Sequence, residues 1–96
     1  MIRQRVVACL RQAALALGPA IAGTEWHLFG SVERDEEDAE DIDLMILCIS
    51  DDQADALRLH LHPDSLALPL HACFLTFAEA AELDAVHVQQ SCIIYP

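Results

Sequence analysis

Asp41 and Asp43 are two carboxylates one residue apart at the head of an apolar run, LMILCI, Leu44–Ile49. In a strand, residues i and i+2 share one face, roughly 6.5–7 Å apart along the chain. Ile42 and Leu44 then point the other way, into a core. The run behind them, apolar on both faces, reads as a central strand. Two carboxylates fixed at the mouth of a buried strand repel each other and lose solvation. A cation between them relieves that cost. Mg²⁺, or Mn²⁺ in its place, takes oxygen ligands and often shares them with substrate phosphates.

Just upstream, Gly30 and Ser31 supply the other half of a site. A glycine lets backbone approach a ligand closely and adopt positive φ. Ser31 offers a hydroxyl and an N–H at the start of a helical turn, where phosphate is favoured. Arg34, three residues on, can reach the same anion. Turn amides and an arginine for phosphate, with two aspartates for metal, suit nucleotidyl transfer from a nucleoside triphosphate.

The flanking pattern must position these groups. Residues 2–17 read as an amphipathic helix, with Ile2, Val6, Cys9, Leu10, Ala13 and Leu17 at helical spacing and Gly18-Pro19 as the stop. Thr24–Gly30 reads as a strand, with Trp26 and Leu28 on one face and Glu25, His27 and Phe29 on the other. Ser31–Glu40 is a helical turn and acidic loop, and Asp41–Ile49 the second strand. Ser50-Asp51-Asp52 is a helix N-cap leading into Gln53–Leu61, and Pro63 ends that helix. Leu66–Thr76 is a third strand. Phe77–Val86 is a helix opened by a capping box of Thr76 and Glu79, and Ser91–Tyr95 is a short last strand. The order αββαβαβ predicts one α/β (α+β) domain over residues 1–96, a mixed sheet packed with helices. The first two strands are expected to be antiparallel.

FGSVER (Phe29–Arg34) followed by EDIDLMI (Glu40–Ile46) resembles the GSxxR…DxD signature of the nucleotidyltransferase superfamily that includes DNA polymerase β, in its minimal, antitoxin-like branch. The likeness covers Phe29 to Leu47 closely and the remainder only by element order. It implies the polymerase-β-type nucleotidyltransferase fold and a Mg²⁺-dependent transfer of a nucleoside monophosphate, with ATP the expected donor. The acceptor would be a protein or small-molecule hydroxyl. Asp41 and Asp43 would then be catalytic and hold the metal, while Gly30, Ser31 and Arg34 bind the nucleotide. Such domains often act as antitoxins that pair with a HEPN-domain ribonuclease and modify it.

Active members of the superfamily usually carry a third carboxylate on the strand after the Asp-x-Asp strand. Here that strand reads LALPLHACFLTF, and the position falls on His71 or Cys73, which share a face. Neither is a carboxylate. His71 can accept a proton or bind a metal; it can equally be a lone histidine at a strand edge. Asp64 and Glu79, the nearest carboxylates, lie outside the strand. Two readings follow: an active transferase, or a nucleotidyltransferase-fold binding module that works through a protein partner.

The 96 residues suffice for one small domain, and an apolar content of 54% predicts a true core with apolar surface to spare. That favours a homodimer or a protein partner. A formal net charge of −11, with five arginines and no lysine, repels nucleic acid, so no direct binding to it is expected. Arg3, Arg5 and Arg11 read as a solvated helix face rather than a basic patch. Cys9, Cys48, Cys73 and Cys92 show no CxxC spacing and read as buried, reduced thiols. His60 and His62 form an HxH pair, but on a helix they diverge by about 200° and cannot share zinc. The start, MIRQRVVACLRQ, mixes arginine and glutamine into its apolar pattern and carries no expectation of a signal peptide. No apolar run reaches membrane-spanning length. A cytoplasmic location is the expectation.

Overall fold

A computed structural model describes residues 2–61 and 68–96. Helix α1 (Ile2–Ala16) is followed by a 3₁₀ turn at Gly18–Ile21, strand β1 (Glu25–Phe29) and a single helical turn α2 (Gly30–Glu33). Strand β2 (Ile42–Cys48), helix α3 (Asp51–His60), strand β3 (Leu70–Thr76), helices α4 (Phe77–Leu83) and α5 (Ala85–Val88), and strand β4 (Cys92–Tyr95) complete the chain. The four strands form one mixed sheet in the order β3-β2-β1-β4. β1 runs antiparallel to both β2 and β4, and β2 runs parallel to β3.

The period of two along β2 divides the protein into two layers. Ile42, Leu44, Ile46 and Cys48 point to the main core, with Val6, Leu10 and Ala14 of α1, Trp26 and Leu28 of β1, and Ala54 and Leu57 of α3. Met45 and Leu47 point to the opposite face, where they meet Ala80 and Ala85 of α4 and α5, with Phe29, Leu75, Phe77 and Val86 around them. β2 is thus buried on both sides, as its unbroken apolar run requires. A parallel β2–β3 pair needs a crossover, and α3 lies in it.

The caps form as their residue types dictate. Ser50 accepts a hydrogen bond from the Gln53 N–H at the head of α3. Thr76 and Glu79 close a reciprocal capping box at the head of α4. Gly18 takes a positive φ of 62° and Pro19 follows in the 3₁₀ turn, which ends α1 one residue before the expected limit.

Several expectations are corrected. The third strand begins at Leu70, since Leu68 and Pro69 precede the ladder; Leu66 and Ala67 lie outside the described residues. Pro69 has no N–H to give, but its carbonyl accepts from the Ile42 N–H at 2.8 Å. The helix expected over Phe77–Val86 is interrupted at Asp84, whose φ of 51° is left-handed, and resumes as α5. Only Cys48 among the cysteines is buried; Cys9, Cys73 and Cys92 are exposed, and all four are free. Nor are the α1 arginines simply a solvated face. Arg3 makes a two-pronged pair with Glu33 of α2, at 2.8 and 3.2 Å, and Arg11 Nε donates to the Ile94 carbonyl of β4 at 2.8 Å. The pair with Glu33 raises the already high Arg3 pKa further. His62, Pro63 and Asp64 lie outside the described residues; His60 is the last residue of α3. No helix among the described residues is long and apolar enough to cross a membrane.

Candidate nucleotide and metal site

The site is built where β1 ends and β2 and β3 begin. Antiparallel register sets Phe29 opposite Asp43, so the residue that leads into the Gly-Ser turn is a direct neighbour of the second aspartate. Gly30 then turns the chain with a φ of 77°, and α2 starts on it. An L side chain at that φ is strained, and here it would also collide. A Cβ on Gly30 would overlap Oδ2 of Asp43 and lie 3.1 Å from its Cγ. With glycine there, the turn closes onto this carboxylate with neither backbone strain nor displacement of Asp43. The turn is held from behind by α1, through the Arg3–Glu33 pair and by the Arg3 N–H donating to Asp35 Oδ1 at 3.0 Å. Nothing in the sequence marked Arg3 or Glu33 for this task, because the contact joins elements about thirty residues apart.

Asp41 stands one residue before β2, and Asp43 is the strand's second residue. On the other flank, parallel register places His71 opposite Asp43 and Cys73 opposite Met45. His71 Nε2 lies 3.5 Å from Asp41 Oδ2. Of the two candidates for the third carboxylate's place, His71 is therefore the one level with the aspartate pair. Cys73 sits one step deeper along the same face.

The electrostatics follow from this packing. Partial burial lifts the Asp43 pKa above the ordinary aspartate value, and the neighbouring Asp41 charge lifts it further. His71 and Arg34 oppose the shift. Although Cys73 is exposed as a residue, desolvation around its sulfur raises the thiol pKa, and the Asp43 charge adds to it. Arg34 is paired with Glu36 on the surface, so it is steered toward the acidic loop as much as toward the aspartates.

Asp41, Asp43, Gly30, His71 and Arg34 are thus gathered at one end of the sheet, with Ser31 on the turn beside them. Among the described residues, no group of three His, Cys, Asp or Glu side chains converges to hold an ion. The donor set is the two aspartates, and they suit a cation that takes its remaining oxygens from a ligand's phosphates and from water. Two grooves of about 490 and 550 Å³ flank α1, one lined by Ile2, Arg5, Asp35 and Glu37, the other by Arg3, Gln4, Val7, Ala8, Arg11 and Asp35. Neither is lined by the aspartate pair or His71, and both mix arginines with carboxylates. No protein-family model matches the chain, and no curated protein and no solved structure matches it significantly.

Proposed function

We propose that this domain binds a nucleoside triphosphate, ATP by preference, with Mg²⁺ or Mn²⁺ and transfers its nucleoside monophosphate to a hydroxyl acceptor, as a minimal nucleotidyltransferase of the polymerase-β type. The observation that carries the reading is the contact of Gly30 with Asp43. The Gly-Ser turn comes so close to the second aspartate that a side chain on Gly30 would have to displace the Asp43 carboxylate. A phosphate held at the turn is then adjacent to the carboxylates that hold its counter-ion.

Asp41 and Asp43 would hold the metal, which when bound neutralises phosphate charge and polarises the phosphorus being attacked. Gly30 presents backbone to the triphosphate at close range. Ser31 adds its N–H and hydroxyl at the head of α2. Arg34 can leave Glu36 for a more highly charged phosphate, because an exposed ion pair is worth only about 0–1 kcal/mol. Catalysis by such residues is positioning and charge neutralisation. A HEPN-domain protein is the partner that the resemblance suggests, and cytoplasmic antitoxin action would follow from it.

A second reading is favoured by one observation. The place level with Asp43 holds His71, an imidazole where active members of the superfamily that the chain resembles carry an acid. On that reading the domain is a binding module whose chemistry is lost. Incubation with ATP labelled on the α-phosphate, with Mg²⁺ or Mn²⁺ and a candidate acceptor protein, separates the two. The transferase reading requires label on the acceptor and none with Asp43→Asn. It also requires His71→Asp to raise the transfer while Cys73→Asp does not. Metal-dependent ATP binding without transfer in any of these proteins would leave the binding module.

A further inference from the structure

The strand position level with Asp43 holds an imidazole, and this changes the donor chemistry at the aspartate pair. His71 is the register partner of Asp43 across the parallel β2–β3 pair. Its Nε2 lies 3.5 Å from Asp41 Oδ2. A charge-assisted hydrogen bond is shorter, about 2.7–2.9 Å. Two donors on one ion fit the distance better: at about 2.0–2.2 Å from a metal, neighbouring ligands stand about 3.0–3.5 Å from each other.

The three side chains differ in freedom. Asp43 is partly out of water, with its Oδ2 close against the Gly30 turn. Asp41 and His71 keep 42% and 65% of their side-chain surface exposed. No three such groups among the described residues converge as they stand, but these two can rotate toward an ion at Asp43 without opening the core. The chemistry of the set then selects the ion. Mg²⁺ takes oxygen donors and gives up water reluctantly. Imidazole nitrogen suits first-row transition ions, which bind mixed nitrogen and oxygen sets more tightly. A carboxylate at position 71 would add a third anionic oxygen for Mg²⁺. Histidine offers instead a nitrogen that the transition ion uses well and Mg²⁺ does not.

We propose that His71 ligates the ion of this site through Nε2, beside Asp41 and Asp43, and that the site therefore selects a first-row transition ion, of the Mn²⁺ or Co²⁺ class, over Mg²⁺. The proposal deepens the reading above and rests on its metal half alone, since it needs neither a particular nucleotide nor transfer. The remaining positions around the ion belong to phosphate oxygens and water.

Two measurements on the intact chain test it. Pulsed electron paramagnetic resonance of bound Mn²⁺ detects a directly coordinated nitrogen. Inorganic tripolyphosphate replaces ATP there, because it carries no nitrogen of its own. The wild type should show nitrogen modulation, and His71→Ala should lose it while Mn²⁺ still binds at the aspartates. In calorimetric titrations His71→Ala should weaken Co²⁺ by about tenfold or more, since even an outer-shell partner of a metal site is worth that much, and should leave Mg²⁺ no weaker. His71→Asp should narrow the gap between the two ions by strengthening Mg²⁺. The side chain is exposed, and circular dichroism confirms that both variants fold. Mn²⁺ held by the aspartates with no nitrogen modulation, or Co²⁺ and Mg²⁺ changing alike in His71→Ala, would overturn the proposal and leave the nucleotide and metal site standing. No Mn²⁺ binding, or a nitrogen signal that survives both Asp41→Asn and Asp43→Asn, would overturn the proposal and that site together.

Discussion

The two faces of β2 are written in alternate residues of one strand, and they follow opposite rules. One face, Ile42, Leu44, Ile46 and Cys48, is sealed by α1 and α3 into the main core. The other face begins with Asp43, continues through Met45 and Leu47 under α4 and α5, and is flanked at its head by exposed His71. The first face contributes stability by burying hydrocarbon. The second places two like charges at the sheet's mouth and holds one of them partly out of water. A single strand can do both because its side chains alternate while its backbone remains one rigid element.

The comparison breaks most sharply on the sealed face. Leu44→Ala removes a fully buried side chain and should cost about 2–5 kcal/mol, read as a lower denaturant midpoint. Next in size is Gly30→Ala at the junction of the two faces. The left-handed φ alone costs an L residue about 1–2 kcal/mol, and the new methyl must also displace Asp43. Nucleotide and metal binding should fall together in this variant, whereas Leu44→Ala should leave them intact in whatever fraction remains folded.

Asp43→Asn should act in the opposite direction on stability. The folded-state pKa of Asp43 is raised, so this carboxylate favours the fold only while protonated, and its contribution is lost as pH rises through that raised value. The metal-free Asn variant should therefore melt higher than the wild type at neutral pH, and the gap should close as pH falls below the ordinary aspartate range. Added Mg²⁺ or Mn²⁺ should reverse the order, since metal stabilises only the protein that binds it. Thermal melts across pH, with and without metal, check both halves. The smallest effect belongs to Cys73→Ser. Its side chain sits on the open face, so the stability change should stay within about 0.5 kcal/mol, and metal binding should not change.

Much of this was legible in the sequence, for reasons that sit in particular residues. The apolar run Leu44–Cys48 announced a strand buried on both sides, whereas Asp41, expected as the first residue of that strand, stands just before it. Ser50, Thr76 and Glu79 marked helix starts because capping is local chemistry, completed within three residues. What escaped was non-local. The Arg3–Glu33 pair that holds the Gly-Ser turn joins helices separated by β1. Gln53 spans from the Ile49 N–H to the Ala20 and Ala22 carbonyls, tying α3 to the 3₁₀ turn. Neither leaves a periodic trace. The choice between His71 and Cys73 also needed the structure, because two residues of equal parity differ only in register, and register is set by the neighbouring strand. Asp84 broke the last helix although its local pattern was helical. Its aspartate is a residue type that tolerates the left-handed turn found there.

The central claim is that the Gly-Ser turn and the aspartate pair form one site for a nucleotide and its metal. Paramagnetic broadening of backbone amide signals by Mn²⁺, titrated into the protein with and without ATP, tests it most directly. With ATP present, the amides of Gly30, Ser31, Asp41, Asp43 and His71 should broaden first and together, and Asp43→Asn should abolish the effect. Broadening confined to the loop at residues 35–40, unaltered by ATP and by Asp43→Asn, would contradict the claim and reduce the metal to a counter-ion of an acidic surface.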